Sequence, residues 1–330
     1  MKAAYIEQTG SVQNIIVGNL PKPKPAENEV LVKVAAVSVN PVDTYLRSGM
    51  IAMELPMPYI LGSDLAGVVE AVGPAVTKFQ VGDRVWGSNQ GMMGRQGTSA
   101  QYAAVEEQWL YPTPDEVSDQ DAAAIALVGI TAHLGLFHKA GLAMGETVFV
   151  NGGTGGVGSC VVQMAKAIGA RVIATAGTDE KVKACRELGA TAAFNYKTSD
   201  VDAAIRRYCP NGVDIWFETR REQNLGQVME HLNLGGRLIL IAGRESQPPL
   251  PVGPFYTKDC TIYGYAMFNS PAEQQRKCAA EINRWMARGK LRANIDRVMP
   301  LSEAAAAHKL QEDSTLKHKG KLAGKIVLKV

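Results

Sequence analysis

The sequence offers little that points to a membrane, a disulfide scaffold or nucleic acid. No apolar core follows Met1 of the kind a secretory leader carries, and no run of about 20 apolar residues offers a bilayer span. The expectation is a soluble, cytoplasmic protein with no membrane partner. Cysteine is scarce: Cys160, Cys185, Cys209, Cys260 and Cys278 are odd in number, far apart and without a C-x-x-C pair. That excludes a disulfide framework or zinc ribbon and argues for reduced thiols. The net charge is only +3, and no basic stripe is interleaved with aromatics, so nucleic acid is not expected as the primary partner. Lys317, His318, Lys319, Lys321, Lys325 and Lys329 read as a solvated C-terminal face. His133, His138, His231, His308 and His318 show no metal-ligand spacing, and no repeat or low-complexity tract is visible.

What is there is length and one strong motif. At 330 residues the chain is long enough for two cores of ~150 residues each. It is organised around Thr147 to Gly158, where the β-branched and aromatic run Thr147-Val148-Phe149-Val150 enters a glycine cluster and the small-residue stretch Ser159 to Ala167 leaves it. Gly153, Gly155 and Gly158 are spaced G-x-G-x-x-G, the order of strand, turn and helix that a dinucleotide site requires. In that reading Gly153 makes the tight turn, Gly155 lets backbone approach a pyrophosphate, and Gly158 permits close contact of helix on strand. A helix opening at about Gly156 offers its N–H groups and positive dipole end to phosphate.

Residues 1–120 lean to β structure. Lys2 to Ile6 and Val30 to Val37 are β-rich, Pro21, Pro23 and Pro25 mark an extended loop, and Gly62 to Gly73 and Val81 to Gly87 are strands punctuated by turn residues. Ser88 to Ser99, with Gly91, Gly94, Gly97, Met92 and Met93, reads as a long loop that is functional or mobile. Asp119 to Ala140 reads as helix. Beyond Gly158 the pattern alternates as an open α/β sheet does. The expected strands are Arg171 to Thr175, Ala192 to Asn195, Val213 to Phe217, Arg237 to Ala242 and Thr261 to Tyr265, and the expected helices Glu180 to Leu188, Val201 to Tyr208 and Asn224 to Leu232. Gly235 and Gly236 are read as ending one helix and starting the next strand. Ala272 to Gly289 reads as a last long helix and Lys325 to Val330 as a strand returning to the first domain.

The motifs Val39-Asn40-Pro41-Val42-Asp43-Thr44-Tyr45-Leu46-Arg47-Ser48-Gly49, Gly62 to Gly73, Val81 to Val85, Gly152 to Gly158 and Gly235-Gly236-Arg237, in this order, resemble the medium-chain dehydrogenase/reductase superfamily. Within it they are most similar to the zinc-free quinone oxidoreductase, or zeta-crystallin-like, branch. The resemblance implies an α/β protein with a GroES-like β-barrel domain at 1–120, completed by 270–330, and a doubly wound parallel Rossmann sheet at 121–269. Zinc-dependent members hold the metal with Cys, His and Cys; here Asn40, the pair Ser63-Asp64, and apolar Leu127 and Val128 stand at those places. No metal is therefore expected.

What the resemblance implies about activity is hydride transfer from NADPH to a quinone, with the cofactor carrying the chemistry. An enone or enoyl reductase of α,β-unsaturated carbonyls, and a non-catalytic NADPH- or RNA-binding role, stay open as alternatives. Asn40 and Tyr45 are the candidates for positioning and polarising a substrate oxygen, with packing of Tyr45 and a proton from water as the alternative. Thr131 is similar to the hydroxyl that meets nicotinamide, or else bonds its own helix backbone. For the cofactor the resemblance implies Gly153, Thr154, Gly155, Gly156, Val157 and Gly158 at the pyrophosphate. It implies Gly177, Thr178, Lys181 and Tyr196 at the adenosine end, Ile241, Ala242, Gly243 and Arg244 after the fifth strand, Ala266, Met267 and Phe268 toward the nicotinamide, and Lys325. The run Thr219-Arg220-Arg221-Glu222 departs from the small, uncharged loop of the relatives, and either adds phosphate contacts or points to solvent. A homodimer through the Thr261 to Tyr265 edge is implied as well.

Overall fold

The structure, a computed structural model, describes residues 1–317 and 322–330. The chain divides into two compact units, Met1–Leu127 with Pro271–Val330, and Val128–Ser270. The first unit begins with strands β1 (Lys2–Ile6), β2 (Ile16–Asn19) and β3 (Glu29–Val39), helix α1 (Pro41–Ser48), and strands β4 (Tyr59–Ile60), β5 (Leu65–Val72), β6 (Arg84–Gly87), β7 (Tyr102–Glu106) and β8 (Leu110–Pro112). Helix α2 (Asp119–His133) follows, and the division falls inside it, later than the expected boundary after residue 120.

The second unit carries β9 (Thr147–Asn151), α3 (Gly156–Ala167), β10 (Arg171–Ala176), α4 (Asp179–Leu188), β11 (Ala192–Asn195), α5 (Val201–Tyr208), β12 (Val213–Glu218), α6 (Leu225–His231), β13 (Leu232–Leu240), α7 (Val252–Thr257) and β14 (Thr261–Gly264). The chain then returns to the first unit with α8 (Ala272–Ala287), β15 (Ile295–Pro300), α9 (Ala304–Thr315) and β16 (Lys325–Lys329).

In the first unit β16 inserts between β15 and β3, continuing into β5, β6 and β8, while β7 pairs with the other half of β3 and β2-β1-β4 form a small second sheet. Its core gathers Val30, Val32, Val34, Leu65, Val69 and Val85 with Ile326 and Leu328 from the end of the chain. In the second unit six strands lie in the order β11-β10-β9-β12-β13-β14, every pair parallel. This is a doubly wound sheet whose order reverses between β9 and β12, the place where such sheets leave a crevice at their carboxyl ends. All five residues of β9 are buried, as a central parallel strand covered on both faces requires, and Phe149 meets Trp216 of β12 at 4.0 Å between ring centroids.

Two expectations fail here. Gly235 and Gly236 do not precede the strand: β13 starts directly after α6 at Leu232. The register jumps from Val213↔Leu232 to Ile215↔Arg237, so the two glycines form a bulge inside the strand, with Gly235 at φ 72°. Among the described residues one stretch, Asp119–Lys139, is long and apolar enough to cross a bilayer by length and composition, against the reading that none is. Its apolar window is 78% buried, and a Cβ on Gly135 would stand 2.7 Å from the Phe217 ring, so the apolar character is that of a packed core helix. All five cysteines are free and buried.

Candidate nucleotide and substrate sites

The glycine loop at the end of β9 does its work with a different division of labour from the one the spacing suggested. The tight turn belongs to Gly152, whose φ of +95° only glycine adopts readily. Gly153 is needed for packing, because a Cβ there would lie 2.8 Å from Ala174 Cβ and 2.8 Å from Cys185 Sγ. A Cβ on Gly158 would lie 2.1 Å from the Gly152 carbonyl oxygen, which forbids any side chain where α3 meets the loop. Gly155 is exposed, and a Cβ there would find only that carbonyl, at 3.5 Å. Gly155 is also the N-cap of α3 and supplies no side-chain cap to the first turn of Gly156, Val157 and Gly158. Thr154 is buried beneath the loop.

A polar chain that the sequence did not announce ties the three central strand ends together. The Thr175 hydroxyl donates to Asn151 Oδ1 at 2.7 Å, and Asn151 Nδ2 donates to Glu218 Oε2 at 2.9 Å. Glu218 also accepts from Trp216 Nε1 at 3.1 Å and from the Arg220 backbone N–H at 2.8 Å. Burial raises the Glu218 carboxyl above its ordinary pKa, and these donors pull it back down. The Thr219 hydroxyl donates to the Asn151 carbonyl at 2.6 Å, which anchors the loop after β12 on the end of β9.

At the tip of β10, a Cβ on Gly177 would lie 2.7 Å from the Tyr196 hydroxyl, so these two expected site residues are in contact. The Thr178 hydroxyl accepts from Lys181 N at 3.3 Å as the N-cap of α4, while Asn195 Nδ2 donates to the Asp179 carboxylate at 2.8 Å. The Arg220 guanidinium carbon lies 4.3 Å from the centroid of the Tyr196 ring. After β13, Ile241, Ala242 and Gly243 are half-buried and Arg244 is exposed, and Gln223 Nε2 donates to the carbonyls of Ala242 at 3.0 Å and Arg220 at 2.8 Å. Met267 is buried in a short turn between exposed Ala266 and half-buried Phe268. Tyr265 just before it donates its hydroxyl to the Thr131 carbonyl, and Thr131 is itself buried.

The first unit holds a second polar cluster around Asn40, the N-cap of α1. Asn40 Nδ2 donates to Asp64 Oδ2 at 2.7 Å, and that oxygen also accepts from the Ser38 hydroxyl at 2.7 Å. Asp43 accepts from Asn40 N at 2.8 Å and from the Ser63 hydroxyl at 2.6 Å. Burial pushes the Asp43 carboxyl up to about 7, with the Asp64 charge adding to the rise and the Ser63 hydrogen bond opposing it.

Lys325 closes this cluster, donating to the Val39 carbonyl at 2.9 Å and to Asn40 Oδ1, with Asp64 Oδ2 at 4.0 Å. This corrects two expectations for Lys325. It is neither on a solvated face nor turned out toward a cofactor, but 5% exposed, at the start of an inner strand, β16, whose first four residues are all buried. Of the same run, Lys317 is exposed and pairs with Asp313 at 2.9 Å, while His318, Lys319 and Lys321 lie outside the described residues. Asn40 is fully buried with its amide engaged at both ends, so it holds the cluster and has no surface to offer a substrate. Tyr45 is half-buried on α1. Residues 88–99, expected to be mobile or functional, are mostly packed, with Tyr59 donating to the Gly91 carbonyl at 2.8 Å and Asn89 to Gln275 at 2.7 Å.

Among the described residues no three His, Cys, Asp or Glu side chains converge as a metal site. A β-rich unit completed by the last strand of the chain, together with a parallel sheet whose glycine loop opens a helix at the order reversal, defines a medium-chain dehydrogenase/reductase that binds a nicotinamide dinucleotide. Residues 26–115 match the alcohol dehydrogenase GroES-like domain and residues 156–284 the family described as zinc-binding dehydrogenase. The quinone oxidoreductase of Lama guanicoe is 35% identical over 332 residues, covering 99% of this chain and 97% of that protein. Among solved structures, an NAD-dependent alcohol dehydrogenase aligns with a TM-score of 0.88 at 31% identity over 100% of both chains. A mycobacterial protein complexed with NADPH aligns with a TM-score of 0.86 at 29% identity, again over 100% of both. The chain belongs to the quinone oxidoreductase branch of this superfamily and is an oxidoreductase of the medium-chain dehydrogenase/reductase type.

Proposed function

We propose that this oxidoreductase is zinc-independent, uses NADPH in preference to NADH, and passes hydride to quinones. The glycine loop fits a dinucleotide: the space beside Gly155 is open where a side chain would stand, and the first turn of α3 has no side-chain cap. Gly153 to Gly158 would hold the pyrophosphate, and Gly177, Thr178, Lys181 and Tyr196 the adenosine end. Ile241 to Arg244 and Ala266 to Phe268 would line the path toward the nicotinamide. When bound, the nicotinamide supplies the hydride.

The observation that carries the NADPH preference is the tip of β10, which ends Ala174-Thr175-Ala176-Gly177-Thr178 with no acid. A site selective for NADH usually has a carboxylate there to bind the ribose hydroxyls and repel a 2′-phosphate. The first acid after it, Asp179, accepts a hydrogen bond from Asn195, and Lys181 follows in the first turn of α4. For the substrate, conjugation lets a quinone accept hydride without a metal, so the protein's part is to position the ring and donate a hydrogen bond to an oxygen. Tyr45 is the donor in this reading, Thr131 faces the nicotinamide, and Asn40 acts through the cluster it braces.

The test is kcat/KM for NADPH and NADH with 1,4-naphthoquinone and with a linear enone, in the natural chain and in Lys181→Ala. NADPH and the quinone are expected to be preferred. Lys181→Ala is expected to lose about 10-fold to 100-fold with NADPH and little with NADH, the size of a lost charge-assisted hydrogen bond. A natural chain that favours NADH refutes the cofactor reading, and a preference for the enone refutes the substrate reading.

A further inference from the structure

We propose that Arg220 reads the ribose phosphate of NADPH in this chain, as a preformed anion-binding arm laid over the strand ends. The inference rests on the NADPH preference proposed above and names the side chain that enforces it.

The backbone at Arg220 is held on several sides. Its N–H is bonded to the buried Glu218 carboxylate at 2.8 Å, its carbonyl accepts from Gln223 at 2.8 Å, and the preceding Thr219 hydroxyl is bonded to the Asn151 carbonyl at 2.6 Å. The side chain therefore starts from a fixed point. It runs past Gly152, where its Cγ would be 3.9 Å from an added Cβ, and ends with the guanidinium carbon 4.3 Å from the Tyr196 ring centroid.

Arg220 follows β12 and Tyr196 follows β11, with β9 and β10 between them, a span of about 14 Å at ordinary strand spacing. The two side chains meet near the tip of β10, because the Tyr196 hydroxyl is the neighbour of Gly177. That tip is where a doubly wound sheet receives the ribose and any 2′ substituent.

The chemistry of the arm suits an anion. Stacking on an aromatic face restrains the long Arg side chain while leaving the edge of the guanidinium, which carries the N–H donors, turned away from the ring. A planar fork of this kind matches phosphate oxygens bidentately. The buried Glu218 carboxylate feels the Arg220 charge, but among the described residues no carboxylate lies within ion-pair distance of this guanidinium and no acceptor is hydrogen-bonded to it. The choice left open by the sequence, phosphate contact or solvent, is thereby resolved toward contact for Arg220.

The experiment is calorimetric titration of the full chain with 2′,5′-ADP and with 5′-AMP, which differ only in the 2′-phosphate, for the natural protein, Arg220→Gln, Arg220→Lys and Tyr196→Phe. The natural protein is expected to prefer 2′,5′-ADP. Arg220→Gln is expected to lose about 10-fold to 100-fold in affinity for it, with 5′-AMP little changed. Arg220→Lys is expected to fall between, since it keeps the charge without the fork, and Tyr196→Phe to retain the ring platform and most of the discrimination.

Equal losses for both nucleotides in Arg220→Gln would make the arm a platform for the purine and overturn the inference. Intact discrimination in Arg220→Gln would overturn it too and transfer the role to Lys181 and Thr178, leaving the NADPH reading standing. A natural protein that does not distinguish the two nucleotides would bring down the NADPH reading itself. If Arg220→Gln does not fold by thermal unfolding, Arg220→Lys carries the same comparison, and undiminished affinity for 2′,5′-ADP in that variant counts against the fork.

Discussion

Replacing Lys325 with Met leaves the buried Asp64 carboxylate without the ammonium that stands 4.0 Å from it, and takes away the donor to Asn40 Oδ1. Two unit charges at that distance interact by about 4 kcal/mol at an effective dielectric of 20. Breaking a buried pair by removing one partner typically costs about 3–5 kcal/mol. Lys325→Met is therefore expected to destabilise the first unit by about 3–5 kcal/mol at pH 8. The pH dependence identifies the cause. Burial holds the Asp64 carboxyl above its ordinary pKa and Lys325 pulls it down, so the variant's Asp64 titrates higher still. A carboxyl with a raised folded pKa favours the fold when protonated, and that advantage is lost as pH rises through the folded value. The deficit of Lys325→Met must then shrink on going from pH 8 to pH 5. Urea unfolding followed by circular dichroism and tryptophan fluorescence at both pH values measures it. Adding Asp64→Asn to Lys325→Met should recover part of the loss, as a coupled pair requires. A deficit that is equal at both pH values, or strict additivity in the double variant, refutes the ion-pair account.

Gly155→Ala is expected to leave stability within about 0.5 kcal/mol, because its Cβ meets only an ordinary contact, while abolishing tight dinucleotide binding. Gly158→Ala, whose Cβ would fall 2.1 Å from a carbonyl oxygen, should instead cost about 1–3 kcal/mol of stability, and thermal melts with nucleotide titrations separate the two cases. Prolonged chelation should leave quinone reduction intact; stoichiometric zinc by elemental analysis, with activity lost on its removal, contradicts the assignment. Among the described residues strand β14 is the edge of its sheet and pairs only with β13, so we expect a homodimer through it; a monomer mass by light scattering at micromolar concentration counts against this.

The parts of the molecule that were legible in the sequence are those set by local pattern. The β9-loop-α3 unit, the later parallel strands and the return of the last strand follow from apolar runs bounded by glycine, and the limits of β11 and α5 agree residue for residue. What local pattern could not show is who satisfies whom across the chain. Lys325 looks like one more lysine of a basic tail until β16 is placed beside β3, 285 residues away from Asn40 in sequence. Asn40 reads as an amide that polarises a substrate oxygen until its buried partners Asp64 and Lys325 are seen. Gly153 and Gly155 had the right spacing but the turn fell one residue earlier, since φ belongs to a three-dimensional path. Arg220 read as ambiguous because Tyr196 lies two strands further along the sheet than its own neighbour β9.

The first unit is assembled from both ends of the chain, and this has a consequence for the order in which the protein is made. While synthesis proceeds from the amino end, β3, α1 and β5 emerge early with Asn40, Asp43 and Asp64 already in place, but neither the strand that covers β3 nor the cation that balances Asp64 yet exists. The continuous segment Val128–Ser270 has all its strands before residues 325–329 are polymerised. The nucleotide-binding half is thus free to fold on the ribosome first, and the half with the polar cluster waits with an open sheet edge until residues 325–329 have been made.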